Sequence, residues 1–210
     1  LNWNTKWWRG IDSPSPTGWR YTFWDMDNVF NLGQNYTGMG STTYLNDPCD
    51  PQTLFSNDPD VPHMDMINAL FANPTFYDLY INRYADLLNT TLNCDTMLAH
   101  FDAMLAEITP EMPRQIARWG GTVGDWNNNL LLLRAEISGR CAVIDSLLIG
   151  CYQPNIGPKK DIAVQVFPAN AGQVKVNTIY PAYYPWQGSY FSNVNLSFQA
   201  EANAGYIFDR

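Results

Sequence analysis

The sequence predicts an α+β chain, a helical subdomain followed by a small antiparallel β module. Three observations carry that expectation. Apolar residues recur at helical spacing through residues 63–151. The apolar period switches to two after "CYQPNIGPKKD" (151–161). The first 62 residues are rich in Gly, Pro, Asn and Asp and leave room only for short strands. The expected organisation is a first unit over 1–155, with loops and strands in 1–62 and helices in 63–151, then a β module over 156–210.

Taken in order, "DSPSPTG" (12–18) reads as a turn between two short strands, the second running from Trp19 to Trp24. The segment "NLGQNYTGMGSTTYLNDPCDPQ" (31–52) is a long polar loop, of the kind that is functional or stapled down, with Cys49 as a candidate staple. "HMDMINALFAN" (63–73) reads as a helix ended by Asn-Pro, and Pro74 suits the first turn of the next. That next helix places Phe76, Leu79, Tyr80, Tyr84, Leu87 and Leu88 on one stripe. "DTMLAHFDAMLAEI" (95–108) repeats the pattern, and "TPEMPRQIARWGG" (109–121) has a starting cap and a Gly-Gly stop. The longest helical candidate begins at Asp125, taken as its cap, and its Leu-rich core reads as buried. Strands are expected at "IAVQVFP" (162–168), "QVKVN" (173–177), "VNLSFQA" (194–200) and "GYIFD" (205–209). The chain would end on a strand, with its sheet incomplete.

Composition narrows the function classes. Of the 210 residues, 46% are hydrophobic and 15% charged, which supports a packed core. Twenty acids against 12 bases give a net charge of −8, so nucleic acid is not an expected partner. No run of 18 uncharged apolar residues is present, so no transmembrane segment is expected in this chain. The chain starts without Met at "LNWNTKWWRG" and reads as an excerpt of a longer protein. The four cysteines (Cys49, Cys94, Cys141 and Cys151) fit two disulfides in an oxidising compartment, with three connectivities open. Ten residues of continuous helix would hold Cys141 and Cys151 about 15 Å apart, too far to pair. Sparse Lys and abundant Asn and Tyr lean toward an exported protein. Asn35, Asn89 and Asn195 head glycosylation sequons.

The chemistry centres on "RYTFWDMDNVF" (20–30), where an apolar strand ends in Asp25 and Asp27. "FWDMDNV" matches the D-x-D-x-[TV] motif of haloacid-dehalogenase-like phosphatases, with Asp25 as nucleophile and Asp27 as acid. That chemistry needs a doubly wound sheet, and no βαβ rhythm follows. A calcium loop of the EF-hand type is excluded, because Val29 and Phe30 occupy positions that need Asp or Asn and Gly. Kinases hold Mg²⁺ with an aspartate just after a strand and an asparagine from the preceding catalytic loop. Asp25, with Asn2 and Asn4 in "LNWNTKWW", fits that arrangement, and a helical lobe follows.

Longer motifs point the same way. "WNTKWWRG…GWRYTFWDMDNVFN" resembles the CotH-type (spore coat protein H) family of secreted kinases, in which W-D-x-D-x-x-F follows an Asn-rich segment; Trp24, Asp25, Asp27 and Phe30 carry the match. "LFANPTFYDLYINRYADLLNTTL", "ITPEMPRQIARWG" and the tail "PWQGSYFSNVNLSFQAEANAGYIF" resemble the same family, the tail resembling the β module of bacterial cell-surface members. The resemblance implies the helical C-lobe of an atypical protein-kinase-like fold. It implies Mg²⁺ or Mn²⁺ on Asp25, Asp27 and Asn4, with Asn2 as substitute for Asn4, and ATP bound through Asn2, Asn4 and Asp25. It implies a protein substrate and a secreted or cell-surface location. The catalytic aspartate is expected five residues before Asn4, upstream of Leu1, so this chain is expected to be inactive alone. A second reading is a catalytically silent surface or adhesion scaffold that binds glycans or proteins.

Other polar residues have structural readings. Arg114, Arg118 and Trp119 read as a structural helix packed by Trp119 and paired with Glu111. Arg134 and Arg140 read as buried partners of Asp86 or other acids. His63 and His100 are isolated. Tyr183, Tyr184 and Trp186 read either as a sugar-binding face, the route by which surface glycans would bind the β module, or as ordinary sheet core.

Overall fold

The structure, a computed structural model, describes residues 5–9, 20–23, 43–59 and 61–209. Strand β1 (Thr5–Trp8) pairs antiparallel with β2 (Arg20–Phe23), with Thr5 opposite Phe23 and Trp8 opposite Arg20. A short helix α1 (Asp50–Leu54) precedes α2 (Pro62–Phe71), α3 (Pro74–Leu88) and α4 (Cys94–Ile108). A 3₁₀ turn, Thr109–Glu111, leads into α5 (Met112–Trp119). Helix α6 (Val123–Tyr152) runs 30 residues, about 45 Å. Strand β3 (Gly157–Val164) pairs antiparallel with β5 (Trp186–Ser192), and β4 (Gly172–Val176) with β6 (Phe198–Ala202). Among the described residues no helix is long and apolar enough to cross a membrane.

Local chemistry fixes the helix ends. Pro62 and Pro74 sit in the first turns of α2 and α3, where a missing N–H costs nothing. The Asn73 side chain accepts from Thr75 N at 2.9 Å and Phe76 N at 3.4 Å, and Asn93 caps α4 through Asp95 N. Gly120, at φ 86°, ends α5. The cap of α6 is Thr122 rather than Asp125. Thr122 Oγ1 accepts from Asp125 N at 3.0 Å and donates to Asp125 Oδ2 at 2.7 Å, so Asp125 completes the cap from inside the helix.

One hydrophobic core runs through helices and strands alike. It joins Ile81 and Ala85 of α3, Ile144, Leu148 and Tyr152 of α6, Val164 and Val176 of β3 and β4, and Trp186, Tyr190 and Phe191 of β5. Phe71, Tyr77, Tyr80 and Tyr152 extend it as edge-to-face rings, with Phe71 and Tyr80 4.9 Å apart. The most buried line of α3 is Ile81, Asn82, Ala85 and Asp86, displaced from the expected stripe, and Leu79 is exposed. Only the second half of α6 is buried; Leu131 and Leu132 face outward.

Asp86 is fully buried. Arginine was the expected partner, but the bonds come from the β module. Tyr190 Oη donates to Oδ1 at 2.7 Å, and Thr178 donates to Oδ2 through N at 2.9 Å and Oγ1 at 2.6 Å. Nearby, Asn89 exchanges two 2.9 Å bonds with the backbone of Ser189 and also donates to Ala85 O, so its sequon amide serves as a clamp between α3 and β5. Two expectations for the strands change. "WQGSYFS" is a core strand, and "GYIFD" is irregular and exposed.

Burial, reinforced by the bond to the Asp86 carboxylate, holds the Tyr190 hydroxyl above the ordinary phenol value, and burial does the same for Tyr80. Folding therefore favours the neutral phenols. Stability from these groups is fully present below pH 10, the unfolded value, and is lost as pH rises beyond it. Tyr190→Phe removes a donor from a buried carboxylate; urea unfolding at neutral pH is expected to show a loss of about 1.5–3 kcal/mol. The variant should also show a shallower loss of stability above pH 10 than the parent chain.

Candidate functional site

The expected site residues Asn2, Asn4, Asp25 and Asp27 lie outside the described residues. What is described is the frame beside them. Between the asparagines and the acid pair in sequence lies the β1–β2 ladder, where the Arg20 guanidinium lies 5.7 Å from the Trp8 ring centroid. Downstream is the segment 43–59, which follows the acid pair in sequence.

Helix α6 fastens that segment. Cys49 is disulfide-bonded to Cys151, across a separation of 102 residues. Eleven residues before Cys151, the Arg140 guanidinium donates to the carbonyls of Tyr44, at 2.9 Å, and Asn46. Glu136 accepts from Tyr44 N at 2.7 Å. Gly139 lies under the Tyr44 ring, where an added Cβ would stand 2.7 Å from Cγ, so the close approach requires a glycine. Gln52 Nε2 donates to Tyr152 Oη at 3.0 Å, and Asn68 of α2 donates to Gln52 O at 3.2 Å. The second disulfide, Cys94–Cys141, joins α4 to α6. Cys49 is therefore the staple that the long loop called for, and Cys141 and Cys151 bond to different partners.

Sequence reasoning passed over this fastening. Glu136, Gly139 and Arg140 stand at i, i+3 and i+4, a spacing that puts them on one helix face, and this was the available signal. The expectation for Arg140 as an acid's partner gives way to one in which it holds backbone carbonyls. Arg134 does pair with an acid, Asp102 of α4, in a half-exposed position rather than a buried one.

The remaining candidates are dispersed. Arg114 lies 3.7 Å from Glu111 as expected. Trp119 does not pack its helix; it is 69% exposed, with the Arg118 guanidinium 5.0 Å from its ring centroid. Tyr183 is exposed, Tyr184 Oη accepts from Val174 N at 2.7 Å, and Trp186 is in the core, so the three do not share a face. Among the described residues no group of three His, Cys, Asp or Glu side chains could hold a metal. Asp25, Asp27 and the side-chain amides of Asn2 and Asn4 carry oxygen donors of the hard type that suits a divalent cation.

A sequence model of the CotH kinase protein family matches residues 3–144, from just ahead of β1 into the second half of α6. The chain belongs to this family, a kinase-like class of protein. Asn4, Asp25 and Asp27 fall inside the match, and strands β3 to β6 fall outside it. No curated protein and no solved structure matches the chain.

Two outcomes test the fastening. Arg140→Ala is expected to cost about 1.5–3 kcal/mol and to speed amide exchange through 43–55 while β3 and β5 stay protected. Removing the Cys49–Cys151 link as a double Cys→Ser variant should cost about 2–5 kcal/mol in urea unfolding and accelerate the same amides.

Proposed function

We propose that this chain supplies the metal-holding part of a protein kinase site, which transfers the γ-phosphoryl of ATP to hydroxyls of a protein substrate with Mg²⁺ or Mn²⁺. The observation that carries the reading is the β1–β2 pairing in a chain of the CotH kinase family. Asn4 immediately precedes Thr5, Asp25 follows Phe23 by one intervening residue, and Thr5 and Phe23 are partners at one end of the ladder. A carboxylate after one strand and an amide before its partner are the two donors that kinases bring to their metal.

In this reading Asp25 holds the cation and Asp27 supports it or orients Asp25. Asn4 supplies the second protein ligand, with Asn2 as substitute. When bound, a divalent cation held by these residues would supply positive charge against the negative charge that develops on the transferring phosphoryl group. The chain's own contribution is position. A two-stranded ladder sets the ends that carry the donors, and the segment after the acids is tied to α6 by a disulfide and by Arg140. Export to an oxidising compartment is part of the proposal, and the two disulfides support it.

The test is Mg²⁺-dependent ATP binding by the full-length protein, followed by calorimetry. Asp25→Ala is expected to weaken it at least tenfold, and Asp27→Ala less. Unchanged affinity in Asp25→Ala would favour a silent scaffold, and phosphate trapped covalently on Asp25 in acid-quenched protein would mark a phosphatase.

A further inference from the structure

A groove of about 500 Å³ runs between the N-terminal half of α3 and the loops that follow β4 and β5. Thr75, Asp78, Asn82, Asn177, Asn195 and Ser197 supply its polar lining. A second hollow of about 280 Å³ shares Pro74 and Asp78 with it and adds Phe71, Tyr77, Asn155 and Asn193. Together they form one elongated surface, of the size range that accepts small ligands.

The lining selects the ligand's chemistry. Among the described residues no Lys, Arg or His lines either hollow, and the one charge there is the Asp78 carboxylate, so phosphorylated, sulfated and other anionic ligands are disfavoured. Side-chain amides present a donor and an acceptor side by side, which matches adjacent hydroxyls. Phe71 and Tyr77 add ring surface at one end for an apolar CH face. The groups are also held in place. Asn195 Nδ2 donates to Asp78 Oδ2 at 2.8 Å, which leaves the second carboxylate oxygen for a ligand hydroxyl. Asn82 is 5% exposed and donates to Asn195 O at 2.7 Å, and Asn177 accepts from Ser197 N at 2.8 Å. Asn82 sits beside the core residue Ile81, so the wall it belongs to is rigid, and a preformed wall lowers the entropic cost of binding.

We propose that this groove is a binding site for an uncharged, hydroxyl-rich sugar chain. It places sugar recognition on the seam between α3 and the β module rather than on Tyr183, Tyr184 and Trp186. A sugar spanning the two hollows stacks on the Tyr77 end and hydrogen-bonds to Asp78 at the centre and to the asparagine amides beyond.

The test is saturation-transfer NMR and calorimetry on the full chain, with maltotriose, cellotriose and chitotriose as probes. At least one is expected to bind with a Kd on the order of 1 mM, typical of a few hydrogen bonds on an open surface. Asp78→Ala and Thr75→Arg, the second an exposed position where the long cation fills the groove, are each expected to weaken binding at least tenfold with an unchanged circular dichroism spectrum. Tyr183→Ala should leave it unchanged. Absence of transfer from all three sugars, or transfer that survives both groove variants, overturns the proposal. So does binding of a Ser/Thr-rich peptide without binding of any of the sugars.

Discussion

The buried carboxylate of Asp86 is the constraint around which the helices and strands are arranged. A fully buried acid on a core helix is costly unless donors surround it. Here the donors, Tyr190 and Thr178, lie 92 to 104 residues further along the chain. Helix α3 is therefore satisfied only when β5 and the turn after β4 dock on it. The Asn89 clamp to Ser189 repeats the requirement one turn on. Hydrophobic packing between Ala85, Tyr190 and their neighbours supplies the driving force, and the polar contacts fix the register of strand against helix.

Helix α6 carries the second set of constraints. Its C-terminal half enters the shared core, while its middle turns and its end hold the segment downstream of the acid pair. Lys159 of β3 adds an ion pair to Asp145 of α6, so the same helix is tied to the strands as well. The segment 43–59 takes its position from hydrogen bonds and a disulfide to this helix. The family match ends within α6, yet the core that steadies this helix includes strands beyond the match.

Much of this was legible in the sequence, for identifiable reasons. Asn73 and Pro74, and the stop at Gly120, are local signals, and the helices they bound were read from them. Strand β5 was passed over because Gly188 breaks the apparent alternation. In the fold the Trp186 indole lies over Gly188, where an added Cβ would stand 2.3 Å from it, so the glycine is packing rather than a turn. "GYIFD" has the alternation but no partner strand, and alternation alone does not make a ladder. The roles of Asp86 and Arg140 depend on partners more than 90 residues distant, which no local pattern encodes. The candidate site was legible in a different way. Asn4, Asp25 and Asp27 were found by motif and resemblance, the family match spans them, and their geometry lies outside the described residues.

The central claim is that α3, the C-terminal half of α6 and strands β3, β4 and β5 are one cooperative body, held by a shared core and the Asp86 node. Native-state hydrogen exchange across the chain tests it most directly, by comparing the opening free energies of core amides in α3 and α6 with those in β3 and β5. The account predicts that both sets open together at the global unfolding free energy, and that Tyr190→Phe lowers both by the same amount. Strands that open on their own, well below the helices, with the helices unaffected by Tyr190→Phe, would contradict it.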